Sequence, residues 1–134
     1  MNSSDDLGKL LLRVTLGVLI LLHGVAKVMS GPGFVLSATA SAGLPSVIGY
    51  LVYVGEVLAP VLLILGVWSR VAGLIVAGNM VFAIFLVHMK QLWSINSTGG
   101  WALELQGMFL MAGLVVALIG AGRFSIGGRG GRWN

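Results

Sequence analysis

The stretch LLLRVTLGVLILLHGVAKVM, Leu10 to Met29, runs for twenty residues with Arg13, His23 and Lys27 as its only ionisable groups. An α-helix rises 1.5 Å per residue, so about 20 apolar residues cross the ~30 Å hydrocarbon layer of a bilayer. Three more stretches of similar character follow: Val47 to Trp68, Val71 to Met89, and Trp101 to Ala121. None has the period-2 alternation of a membrane barrel. The pattern predicts an all-α fold, a transmembrane antiparallel four-helix bundle with helices over about 10–29, 47–68, 71–89 and 101–121.

Composition agrees with this reading. Of 134 residues 57% are hydrophobic and 9% charged, and mean hydropathy is +1.02. Soluble domains carry nearer ~25% charged residues, so a soluble enzyme is excluded. The chain has no cysteine, which removes thiolate and iron–sulfur chemistry. The pI is about 10.2, but the basic residues are scattered singly and form no stripe, so no nucleic-acid partner is expected.

Short connections favour an up-and-down order within a single integral membrane domain, residues 1–134. Helices two and three are joined only around Ser69 and Arg70, which makes them antiparallel neighbours. The first connection, Ser30 to Ser46, is uncharged and holds Gly31-Pro32-Gly33, and the tail from about residue 123 reads as loose and Gly/Arg-rich. One side of the bundle holds Lys9, Arg13, Arg70, Arg123, Arg129 and Arg132; the other holds Lys27 and Lys90. Lysine and arginine gather on the cytoplasmic side, so both termini are expected there, in a multi-pass protein of the inner membrane. Ala38-Thr39-Ala40 resembles a signal-peptide cleavage site, but Asp5 and Asp6 open the segment and its apolar run ends well upstream.

With that topology His23 and Lys27 fall in the outer half of helix one. Glu56 lies roughly 13 Å below the outer end of helix two, while His88 and Glu104 fall near the outer ends of helices three and four. A carboxylate at the centre of a membrane helix costs on the order of 2.5–3.5 kcal/mol, so Glu56 must be paired or carry its proton. At 100° per residue Arg13, Gly17, Ile20, Gly24 and Lys27 share a sector of about 80°, with His23 at its edge. On helix two Tyr53, Glu56 and Pro60 share a face; Pro60 cannot donate to the carbonyl of Glu56, so a kink is expected there. A weak internal echo pairs Arg13-Val14 with Arg70-Val71 at unequal spacings.

Together these residues resemble the DoxX family of small four-helix membrane proteins. The resemblance rests on Leu12-Arg13, Gly17 and Leu22-His23-Gly24 with Lys27, then on Gly55-Glu56 and Ser69-Arg70. It continues through His88, Gly99-Gly100-Trp101 before Glu104-Leu105, and Gly120-Ala121-Gly122-Arg123-Phe124-Ser125. It spans about Leu10 to Ile126. Gly127 departs from it, standing where many members carry an acidic residue. The resemblance implies association with membrane redox functions, including quinone reduction and partnership with oxidative-stress enzymes; relatives act as assembly factors or cargo receptors.

Glu56, His23 and Lys27 are accordingly the candidate catalytic residues. His88, Glu104, Tyr53 and Trp101 are the candidate substrate-binding residues, around a quinone-like or other small apolar substrate in the outer half of the bundle. The plainer reading is a set of interhelical polar contacts worth about 0.6–2 kcal/mol each. Metal or haem held by the histidines is the weaker option, because no close ligand motif supports it. Arg13 and Arg70 are expected to snorkel, Asn79 to bond another helix or subunit, and Met108 and Met111 to fill the core. Trp68, Trp93 and Trp101 mark helix ends. The cofactor is open, with quinone the leading candidate. Expected partners are the lipid bilayer, a redox partner protein to supply electrons, and a second copy in a homodimer. The alternatives are a proton-coupled carrier for a small solute and a non-catalytic assembly or structural subunit.

Overall fold

The computed structural model describes residues 2–134. It is helical, with no β-strand among the described residues: α1 (Ser3–Ser30), α2 (Gly33–Ser41), α3 (Ser46–Leu65), α4 (Ser69–Gln91) and α5 (Glu104–Ile119). Three of these, α1, α3 and α4, are long and apolar enough to cross a membrane; α5, with 16 residues, is a shorter apolar helix. Large apolar side chains face outward, among them Leu22, Phe85 and Leu118, while Arg13 and Glu56 are buried. A chain in water would reverse this distribution.

Local signals account for the boundaries that differ from expectation. α1 starts earlier because Asn2 caps it, accepting from the Asp5 N–H, and Asp5 and Asp6 sit against the positive end of the helix. The first connection is itself helical over α2, bounded by Gly31 and Gly43 at positive φ. α5 starts at Glu104 rather than at Trp101. Residues 92–101 form a closed loop in which Asn96 Oδ1 accepts from the N–H groups of Thr98 and Gly100, while Trp101 Nε1 donates to Leu92 O.

The long helices come close where glycines face them. Gly17 lies against Pro60 and Ile64, and a Cβ at Gly24 would fall on the Glu56 carbonyl, so α1 and α3 touch through their backbones. Gly73 and Gly113 do the same for α4 and α5. Leu16, Ile20, Leu63, Val76, Phe109 and Val116 fill the space between the helices.

Arg13 does not snorkel, and Arg70 spends its guanidinium on helix-end carbonyls. Arg13 is buried and donates to Leu63 O (2.6 Å), Ile64 O (2.9 Å) and Phe124 O (2.6 Å). Arg70 donates to Ala117 O (2.9 Å) and Leu118 O (2.5 Å). α3 and α5 end at Gly66 and Gly120, so their last carbonyls lack helical donors and carry partial negative charge, which a guanidinium fork satisfies. The echo of the two Arg-Val pairs thus has a structural counterpart: each arginine caps the helix that packs against its own. Met108 and Met111 also differ from expectation, because both face outward.

The tail is held against the bundle. Ile126 N–H donates to Leu65 O, Gly127 N–H to Gly66 O, and Ala121 N–H to Asn134 O, while Asn134 Oδ1 accepts from Ser69 N–H. Asp6, fully buried, pairs with Arg129 and Arg123 and accepts the Arg123 N–H. At Gly127 a Cβ would come within 2.9 Å of the Gly66 carbonyl oxygen, so any side chain there requires the backbone to shift.

Candidate functional site

The polar centre is built where two helices lose their α-helical register. Val54–Leu58 within α3 and Ile84–His88 within α4 are π-helical turns. In α3 the Ala59 N–H reaches back to Val54 O, and Pro60 follows with no N–H to give. The sequence calls for a break here, and it takes the form of an i→i+5 turn that carries Glu56. In α4 the second π turn ends on His88.

Glu56 is buried, and both of its oxygens have partners from other helices. Lys27 Nζ donates to Oε2 at 2.5 Å, and Asn79 Nδ2 approaches Oε1 at 3.4 Å. The Lys27 side chain keeps 29% of its exposure against 6% for Glu56, so the pair lies at the edge of the interior. Asn79 packs so tightly against Gly55 that a Cβ there would come within 2.6 Å of it, which fixes the amide beside the carboxylate. Nine residues at 100° would put Asn79 and His88 about 180° apart on α4; the wider turn at Ile84–His88 takes up part of that angle, so that Asn79 meets Glu56 while His88 lines a cavity that Glu56 also lines.

A cavity of about 130 Å³ opens onto this pair, lined by His23, Lys27, Glu56 and His88 together with Gln106 and Phe109. His23 stands edge-on to the Phe109 ring at 6.0 Å, and His88 Nδ1 lies 2.9 Å from Gln91 Oε1. A second cavity of about 210 Å³ lies beneath α2 and shares Lys27, Glu56 and His88 with the first. The ion pair therefore forms a wall common to two chambers.

Of the seven candidate site residues, His23, Lys27, Glu56 and His88 line the first cavity; Glu104, Tyr53 and Trp101 do not. Glu104 is the first residue of α5, about 140° around it from Phe109, and faces Gly100 in the loop. Trp101 is held by Leu92 O and lies over Gly107. Tyr53 precedes the π turn, which rotates it off the Glu56 face, and its ring pairs with Tyr50 at 6.4 Å. Asn79 bonds another helix, as expected, with Glu56 as its partner; Gln106 was not anticipated. A lone amide inside an apolar run was the visible signal for Gln106. Among the described residues no group of three or more His, Asp or Glu is placed to hold a metal ion.

The buried Lys27–Glu56 pair on the first two long helices coincides with a match to a known family profile over residues 8–89, that of DoxX. The chain belongs to the DoxX family. This DoxX protein is 31% identical over 121 residues to a Bacillus subtilis (strain 168) protein named "Putative oxidoreductase CatD", covering 90% of this chain and 85% of that one. It is also 31% identical over 78 residues to an uncharacterised protein of Haemophilus influenzae, covering 58% of this chain and 57% of that one. No solved structure matches it. It is a membrane protein.

Proposed function

We propose that this DoxX protein is a membrane redox component that binds a quinone-like or other small apolar ring compound in the cavity above Lys27 and Glu56. In this reading all four apolar helices span the inner membrane as an up-and-down bundle. Both termini are cytoplasmic, as the lysine and arginine distribution favours, and the cavity lies in the outer half. The observation that carries the reading is the coincidence of size and chemistry. A cavity of about 130 Å³ is close to the ~150 Å³ engineered void that accepts benzene. Unlike that void, it brings two imidazoles, an ammonium and a carboxylate to a single ring-sized space.

A bound quinone supplies carbonyl oxygens that take up two electrons and two protons. The residues of the chain supply the proton side. His23 and His88 stand at the cavity as donors to a carbonyl oxygen, and Glu56, held by Lys27 and Asn79, passes protons to them. Glu104, Tyr53 and Trp101 have no part in this step. The chain has no cysteine to hold an iron–sulfur centre, and a partner protein is the proposed source of electrons. The name carried by the Bacillus subtilis relative agrees with this class of chemistry.

The test is retention and titration. Protein purified in mild detergent should carry lipid-soluble quinone detectable by mass spectrometry, and protein in nanodiscs should bind a tailless benzoquinone. Glu56→Gln and Lys27→Met should each weaken that binding at least tenfold. Absence of both retention and binding in the unmodified protein rejects the reading. Substrate-dependent proton flux in proteoliposomes would instead favour a carrier.

A further inference from the structure

After Glu104, α5 carries a single hydrogen-bonding side chain, Gln106; every residue from Gly107 to Ile119 is apolar. Gln106 is half-buried and lines the polar cavity. A side-chain amide has two N–H donors and a carbonyl acceptor, and in an apolar surround each group left unmet costs free energy. Amides kept in membrane helices therefore bond across to a neighbouring helix. Asn79 does so with Glu56. Gln106 does not: no hydrogen bond joins its side chain to another described residue. The other polar groups of the cavity are largely engaged, because Lys27 bonds to Glu56 and His88 Nδ1 faces Gln91. Open hydrogen-bonding capacity is left at Gln106 on α5 and at His23 on α1, whose ring stands edge-on to Phe109. α1 and α4 each pack against both α3 and α5, which leaves α3 and α5 diagonally opposite in the bundle. Glu56 and Gln106 thus line the cavity from opposed helices.

We propose that Gln106 is a ligand-binding residue, whose amide holds an oxygen of the bound ring from the α5 side of the cavity. This rests on the function proposed above and deepens it, by naming the residue that orients the ring opposite the Lys27–Glu56 pair. An amide suits that place because it is neutral and works in both directions. Its N–H groups donate to a carbonyl oxygen, and its own carbonyl accepts from a hydroxyl, so it can hold either group by turning about its last bond. A polar residue that serves the fold lowers stability when it is removed. A polar residue kept for a ligand is a cost to the empty protein, and its removal leaves stability unchanged or raised.

The experiment uses the full chain in nanodiscs, with 2,3,5,6-tetramethyl-1,4-benzoquinone as the probe. Gln106→Leu and Gln106→Met keep most of the bulk and remove the hydrogen bonds, and each should weaken binding about tenfold. The apparent Tm of each variant, stripped of quinone by detergent exchange, should equal or exceed that of the unmodified protein treated in the same way. Two variants are used so that one folded variant is enough to decide. Three results overturn the proposal while leaving the function standing. Binding unchanged in the folded variants means that water at the outer end of the bundle serves the amide. Weaker binding together with a lower Tm in both means that the amide holds the fold. Loss in one folded variant but not in the other means that shape, and not hydrogen bonding, is read at this position. If the unmodified protein does not bind the probe, the function proposed above fails and the role of Gln106 with it.

Discussion

Lys27 on α1 donates to Glu56 on α3 across 2.5 Å, at a point where α3 has left its α-helical register and Gly24, one turn before Lys27, lies against the Glu56 carbonyl. The same few residues therefore set both the closest approach of the two helices and the position of the charge pair. An ion pair with one member deeply buried is weak evidence for stability, but removing one partner leaves the other charge without compensation.

Lys27→Met should consequently lower stability by roughly 1–3 kcal/mol, less than for a fully buried pair because Lys27 keeps part of its exposure. Glu56→Gln should cost less, since the amide can still accept from Lys27. The double variant Lys27→Met/Glu56→Gln should be more stable than the sum of the single effects predicts. Thermal unfolding of the four proteins in detergent gives the sign of the coupling.

Gly24→Ala should separate α1 from α3 and cause loss of folded yield or a large drop in apparent Tm, because a methyl group there meets backbone, which cannot give way. Gly8→Ala, on the same helix with open space around it, should raise stability by about 0.5–1 kcal/mol. Equal behaviour of the two variants in a thermal melt would remove the packing argument.

Arg13→Lys should be poorly tolerated. The guanidinium serves three carbonyl oxygens from two segments, and a compact ammonium on a shorter reach cannot serve all of them. Stability should fall by more than about 2 kcal/mol, the cost of leaving buried acceptors unmet. Arg70→Lys, whose site reaches the exposed Leu118 carbonyl, should cost less.

Asp6→Asn removes the carboxylate that pairs with Arg123 and Arg129 and so should loosen the tail. Limited trypsin digestion should then cut after Arg123 or Arg129 faster than in the unmodified protein, at unchanged cleavage elsewhere. An unaltered digestion pattern would show that the hydrogen bonds other than those of Asp6 suffice to hold residues 121–134.

The proposed orientation can be read with single cysteines, since the chain has none of its own. In intact cells Ser97→Cys, in the loop between α4 and α5, should react with a membrane-impermeant maleimide. Ser4→Cys should react only after lysis. The reverse result would place the cavity on the cytoplasmic side.

Much of the helical layout is visible in the sequence because it depends on length and local chemistry. About twenty apolar residues need no tertiary context to be read as a membrane-length helix. The proline four residues after Glu56 announces a break at Glu56. What register arithmetic could not give was the effect of that break. An ideal 100° step places Tyr53 with Glu56 and sets Asn79 opposite His88, whereas with two π turns Tyr53 lies off the cavity, Asn79 meets the Glu56 carboxylate and His88 lines the cavity that Glu56 also lines. Glu104 and Trp101 lie away from the cavity for a related reason: the start of α5 is decided by the loop anchored on Asn96 and Trp101, not by where the apolar run begins.

By itself, then, the sequence determined that this is a helical membrane protein with a few ionisable groups inside its apolar segments, because hydropathy and helix rise are properties of the chain. Only the tertiary structure decided which of those groups meet. Contacts between Lys27 and Glu56, Arg13 and Leu63, or Asp6 and Arg129 join residues 29 to 123 positions apart. They depend on small shifts in helix register that no local pattern encodes.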